Sequence, residues 1–133
     1  MSRLFSRVLS LAVLLALPLS GAFAATAYVH ELTGTMTGQY GAAAPRARKI
    51  GDTLDSGVTL STGANSTAIV KFEDGQLATL QPNTAFRIDQ FSFNTRNPAA
   101  GNSAVSLLQG AMRFVTGLIG STRPGNLRLV AGT

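Results

Sequence analysis

The stretch "STAIVKFEDGQLATLQPNTAFRI", residues 66–88, decides the fold. Apolar side chains recur at every second position in Ala68/Val70/Phe72, in Ala78/Leu80 and in Phe86/Ile88. Neighbouring residues of a strand point to opposite sides, so each set marks one buried face of a short strand. Between the first two sets lie Glu73, Asp74 and Gly75, the strongest turn signal in the chain; Pro82-Asn83 separates the second from the third. Two hairpin registers suit "KFEDGQL". A two-residue turn at Asp74-Gly75 pairs Glu73 with Gln76 and sets Phe72 opposite Leu77. A three-residue loop of Glu73-Asp74-Gly75 pairs Phe72 with Gln76 and Val70 with Ala78. The alternation alone is compatible with both, and with a solenoid corner, and in all three Gly75 takes a positive φ while Glu73 is a solvated strand end.

The same period extends outward to Val58/Leu60, Met112/Phe114 and Leu127/Leu129. Breakers follow one another closely, at Gly51-Asp52, Ser56-Gly57, Gly63-Ala64-Asn65, Asn97-Pro98, Gly110, Gly117, Gly120 and Pro124-Gly125-Asn126. Strands of roughly 5 residues between such breakers predict an all-β domain, with short strands in a compact solenoid-like or sandwich arrangement. The one helical candidate, Ala104–Gly120, carries Gly110 and Gly117 in its interior. Each would cost about 1 kcal/mol in a helix, so a strand pair around Gly110 is preferred. Two segments are loops by composition, Gly41–Ile50 and Asn94–Ser103.

The first 24 residues stand apart. Arg3 and Arg7 form a basic start, Val8–Leu19 is apolar, and Ala22-Phe23-Ala24 is a small-x-small cleavage pattern. Met1–Ala24 is therefore expected to be a signal-peptide helix cut after Ala24, with Ala27 the second choice; the apolar run is too short for a membrane span, which needs about 20 residues. Export to the periplasm follows, with no membrane span in the mature chain, which is a single domain over residues 25–133. Removing the leader and its two arginines from 133 residues with 11 basic and 6 acidic groups leaves 109 residues and a net charge of +3. That charge is too small and too dispersed for nucleic acid, the densest basic cluster being Arg46, Arg48 and Lys49. Without cysteine there is no disulfide framework and no acylated anchor, so burial must hold the domain together.

Catalytic chemistry lacks its parts. One histidine, His30, follows a strand-like run and precedes Glu31, which alternation turns to the other face; no cysteine accompanies it. The six carboxylates and one histidine do not make a zinc set, and Asp52 and Asp55 in "GDTLDSG" read as turn residues rather than as a calcium loop. Glycosidases flank a cleft with two carboxylates, whereas Glu73 and Asp74 diverge along a strand. No glycine has the company of a phosphate loop. The chain is not expected to be an enzyme or to take a cofactor.

Taken in order, Gly51-Asp52-x-Leu54, Leu60-Ser61-Thr62-Gly63 with Ser66, Phe72-Glu73-Asp74-Gly75, Leu80-x-Pro82-Asn83-Thr84 and Leu107-x-x-Gly110-x-x-Arg113-Phe114 resemble the periplasmic FecR-type domain, from about Tyr28 to the end. The resemblance implies an exported β-rich module without catalytic residues, in which Gly51, Asp52, Gly63, Asp74, Gly75, Pro82 and Gly110 are structural turn positions. In iron-uptake regulators of that family the domain follows an anti-sigma segment and a transmembrane helix and relays a signal from an outer-membrane transporter. Here a leader replaces those parts, so the anti-sigma role is not carried over. The family pattern also continues into a further strand with an Arg-Gly-Thr-like close, whereas this sequence stops at "RLVAGT". Truncation is the preferred reading, and a sheet edge open to self-association is the other, because native proteins usually blunt such edges.

The expected function is accordingly a non-catalytic envelope module that binds another protein or relays a signal. The alternative is a cell-wall or polysaccharide-binding module, which the lack of Trp and the presence of only Tyr28 and Tyr40 disfavour.

Overall fold

The computed structural model describes residues 26–131; the expected leader lies outside them. Eleven strands form two sheets. In chain order they are β1 (Ala27–Thr33), β2 (Met36–Tyr40), β3 (Arg46–Ala47), β4 (Thr53–Leu54), β5 (Val58–Thr62), β6 (Thr67–Phe72), β7 (Leu77–Leu80), β8 (Ala85–Ser92), β9 (Asn102–Gln109), β10 (Met112–Val115) and β11 (Leu127–Ala131). One sheet has the order β10-β7-β6-β1-β4 and the other β11-β9-β8-β5-β2-β3. The described residues are thus an all-β, two-sheet sandwich, with one short helix, α1 (Leu118–Thr122).

The expected alternation builds the core. Val58, Leu60, Ala68, Val70, Phe72, Ala78, Leu80, Phe86 and Ile88 are all buried, and Ala27, Val29, Met36, Leu54 and Val105 join them from both sheets. At its centre Phe72 meets Phe86 and Phe114 edge-on, each at 6.5 Å between ring centres, and Phe91 at 5.5 Å. Burying a phenylalanine of this kind contributes about 2–3 kcal/mol, and the edge-on contacts add to it.

The chain passes between the sheets four times along one rim, at Gly34-Thr35, Gly63–Ser66, Gln81–Thr84 and Gly110-Ala111. Hydrogen bonds join these corners in a row. Thr35 N–H donates to Ser66 Oγ at 2.9 Å and Gly63 N–H to Thr35 O at 3.0 Å. Asn83 N–H donates to Gly63 O at 3.1 Å, Thr84 N–H to Thr62 Oγ1 at 2.9 Å, and Ala111 N–H to Thr84 Oγ1 at 3.1 Å. Crossings strip backbone groups of ladder partners, and the buried hydroxyls of Thr62, Ser66 and Thr84 replace them. Asn65 and Asn83 adopt left-handed backbone at φ 56° and 55°, a conformation that asparagine tolerates.

Several expectations are corrected. The strands around Gly110 are present but do not pair with each other: β9 lies between β8 and β11, whereas β10 pairs with β7 in the opposite sheet. Gly110, at φ 88°, is a crossing rather than a hairpin turn. Leu129 is not buried; it is 47% exposed because β11 is an outer strand. Bulges at His30, Asp89 and Leu108 shift the alternation by one residue, which brings Leu32 and Phe91 against the core. The Gly41–Ile50 loop contains β3, and the Asn94–Ser103 segment ends in buried Gly101 and Ser103 at the start of β9.

Candidate functional site

The acid pair separates into two environments. Val70 pairs with Ala78 and Lys71 with Leu77, while Phe72 N–H donates to Gln76 O at 2.9 Å and Gly75 N–H to Phe72 O at 2.9 Å. This is the three-residue loop, closed by Gly75 at φ 95°. Glu73 is exposed. Asp74 is only 3% exposed and Gln76 not at all.

Asp74 turns inward because donors wait there. Its Oδ1 accepts from Gln76 N at 3.1 Å and Gln76 Nε2 at 2.8 Å, and its Oδ2 from Gln76 Nε2 at 2.8 Å and Ile119 N at 3.1 Å. Its carbonyl accepts from Leu118 N at 2.9 Å, and Ser103 Oγ donates to Gln76 Oε1 at 3.1 Å. Asp74 therefore caps α1 from 45 residues away, where the N-cap residue, Gly117, has no side chain to do so. A Cβ on Gly117 would lie 2.6 Å from Gln76 N, so only glycine lets the helix approach. Ser103 and Gly117 escape a reading by period and turn type because they reach this loop only through tertiary contact, Ser103 at Gln76 and Gly117 at the Asp74 and Gln76 backbone.

The other turn positions fall into two groups. Gly63, Pro82 and Gly110 share the rim of sheet crossings. Gly51 and Asp52 close a turn against β1: Val29 N–H donates to Asp52 O and Gly51 N–H to Val29 O, at 2.9 and 2.8 Å. The Asp52 carboxylate accepts from Lys49 N at 2.9 Å and pairs with Lys49 Nζ at 3.1 Å, and these bonds hold its pKa below the ordinary carboxylate value. His30 stacks edge-on against Tyr28 at 6.0 Å on the exposed side of β1. Among the described residues no group of three His, Cys, Asp or Glu side chains could hold a metal ion.

Three surface features remain. The first is the edge of β11, the outermost strand among the described residues, which runs parallel to β9. Leu127, Leu129 and Ala131 share the inward face with Ser103, Val105 and Leu107, yet Leu129 stays 47% exposed; Val130, on the other face, is 49% exposed. Asn126 anchors the strand's start, its Nδ2 donating to Gly101 O at 2.9 Å. The second is a polar cleft of about 230 Å³ beside that anchor, lined by Gln90, Asn102, Ser103, Ala104, Gly125, Asn126 and Arg128. The third is a cleft at the other end of the same sheet, among Gly38, Tyr40, Arg46 and Arg48.

No protein-family model matches the chain, and neither a curated protein nor a solved structure matches it. Among the described residues no helix is long and apolar enough to cross a membrane.

Proposed function

We propose that the chain is an exported, non-catalytic envelope module of FecR type, and that in the periplasm it joins another protein by taking an extended apolar segment of that partner along β11. The observation that carries this reading is the open edge of β11. Among the described residues its outer backbone donors and acceptors have no strand partner, they lie beside half-exposed Leu129 and Val130, and the only charge on the strand is Arg128. Such an edge is a template for strand addition, in which main-chain bonds supply affinity and alternate side chains supply selectivity. The leader pattern and the ordered turn motifs support export and the family; a signal could be relayed through the added strand. The engagement of Asp74 inside the fold supports a structural rather than a catalytic role for the acid pair.

A cell-wall or glycan ligand is the second reading, favoured by the polar cleft of Gln90, Asn102, Asn126 and Arg128. No aromatic platform lines that cleft, so it ranks below strand addition.

The test compares the purified protein with a Leu129→Lys/Val130→Lys variant in pull-downs from envelope extract, alongside sedimentation with peptidoglycan. A protein retained by the parent chain and lost from the variant is the expected outcome. Identical recovery by both, or recovery of peptidoglycan alone, contradicts the proposal.

A further inference from the structure

Among the described residues, the inner face of the second sheet is left open at its β2–β3 end. β3 pairs with β2 through Gly38↔Arg46 and Thr37↔Ala47, and Arg48 N–H continues the contact by donating to Met36 O at 2.8 Å. Paired residues share a face, so Arg46 and Arg48 lie on the same side as Gly38 and Tyr40, the side on which Met36 is buried. Two guanidinium groups and a phenol thus line a cleft of about 540 Å³ where a core would otherwise continue. That volume lies within the range of small-ligand sites.

Three observations set this cleft apart from ordinary surface charge. First, the ion pairs among the described residues are Lys49–Asp52 and Arg87–Asp89, so neither Arg46 nor Arg48 forms one; Asp52 lies near enough to feel the Arg48 charge but does not line the cleft, and neither does any other acidic residue. Second, Arg48 Nε is the one buried side-chain nitrogen or oxygen among the described residues with no hydrogen-bond partner. Third, the walls are fixed: Tyr40 Oη accepts from Asp55 N at 3.0 Å, and Gln39 Nε2 donates to Ala43 O at 2.8 Å across the loop that carries Ala43 and Ala44. Inward charge also guards a sheet edge against unwanted pairing. That role explains the charge but not the orphaned donor or the space beside it.

We propose that this cleft is an oxyanion site, taking a carboxylate or phosphate group between Arg46 and Arg48. The Arg48 guanidinium carbon lies over the Tyr40 ring, 5.8 Å from its centre. Among the described residues the Arg48 side chain donates no hydrogen bond, and guanidinium N–H groups match an oxyanion in paired, charge-assisted bonds. At rest the Arg48 side chain lies against Gly38, whose missing Cβ leaves the room. An anion that draws the guanidinium toward Arg46 gives Nε the acceptor it lacks, and among the described residues no side-chain hydrogen bond of Arg48 is broken in return. The site stands at the opposite end of the sheet from β11, and it holds whether or not β11 takes a partner strand.

The experiment is an NMR titration of the protein, following Arg Nε–Hε and Tyr40 resonances, with inorganic phosphate in one arm, citrate in another and sodium chloride at matched ionic strength in a third. Saturable shifts of Arg48 Nε–Hε and Tyr40 are expected with phosphate, with citrate or with both, and not with chloride; the arm that binds at lower concentration identifies the preferred group. Arg46→Gln, on an exposed side chain, is expected to weaken binding at least 10-fold without altering the fold, and Arg48→Lys to do the same while keeping the charge. The proposal is overturned by shifts that follow ionic strength alone, or by binding that survives both substitutions.

Discussion

Asp74 shows what one carboxylate does when it is turned into a fold. Replacing it with alanine strands Gln76 Nε2 and the backbone N–H groups of Gln76 and Ile119 in a buried setting. Each unpaired donor costs about 1–3 kcal/mol, less whatever water can enter, so Asp74→Ala is expected to lower stability by about 3 kcal/mol. A Cβ at Gly75 would meet no neighbour within 4 Å, so the cost of Gly75→Val is set mainly by the positive φ, about 1–2 kcal/mol for a side-chain-bearing residue. Glu73→Ala removes an exposed group and should stay within about 0.5 kcal/mol. Urea unfolding of the three variants checks the ranking; a Glu73→Ala loss equal to that of Asp74→Ala would contradict the assignment of roles. Turn chemistry in the sequence was enough to place Gly75 and Glu73. It could not place Asp74 fully, since the amides that fill its carboxylate come from Gln76 and from Ile119, the latter 45 residues away.

At the scale of elements, the four crossings at Gly34-Thr35, Gly63–Ser66, Gln81–Thr84 and Gly110-Ala111 behave as one rim. Gly110 is where this rim packs most closely against backbone: besides its φ of 88°, a Cβ there would lie 2.6 Å from Thr84 Cα and 2.8 Å from Asn83 O, which cannot swing away. Gly110→Ala is therefore expected to cost about 3 kcal/mol, more than Gly75→Val despite the smaller side chain, because steric displacement adds to backbone strain. The comparison of urea midpoints decides it, and a smaller loss for Gly110→Ala would mean that the rim yields easily. The strands themselves were legible from period two: Ala68/Val70/Phe72 and Ala78/Leu80 are buried as their alternation implies. What alternation cannot show is a bulge, since one extra residue at Asp89 moves Phe91 inward and leaves no mark in the apolar pattern. Nor can it say which sheet a strand enters, which is why β9 and β10 read as partners and are not.

For the whole molecule, burial without disulfides accounts for a sandwich whose core is continuous between Val29 and Val105, and which, among the described residues, is open at both ends of the second sheet. At the β3 end the inward positions are arginines; at the β11 end they are Leu127, Leu129 and Ala131. The first end was visible in the sequence only as a basic cluster, because the face on which Arg46 and Arg48 lie depends on the pairing of β3 with β2. The second was visible as an apolar strand, but its exposure depends on what covers it in space. The proposed function rests on β11 receiving a strand from another protein. Its most direct test places a photo-crosslinking amino acid at Leu129, and for comparison at Ile50, a 61% exposed turn residue, in the protein expressed in its native cells. The account predicts a discrete cross-link to an envelope protein from position 129 and none from position 50; equal yields from the two positions, or no cross-link from 129, would contradict it.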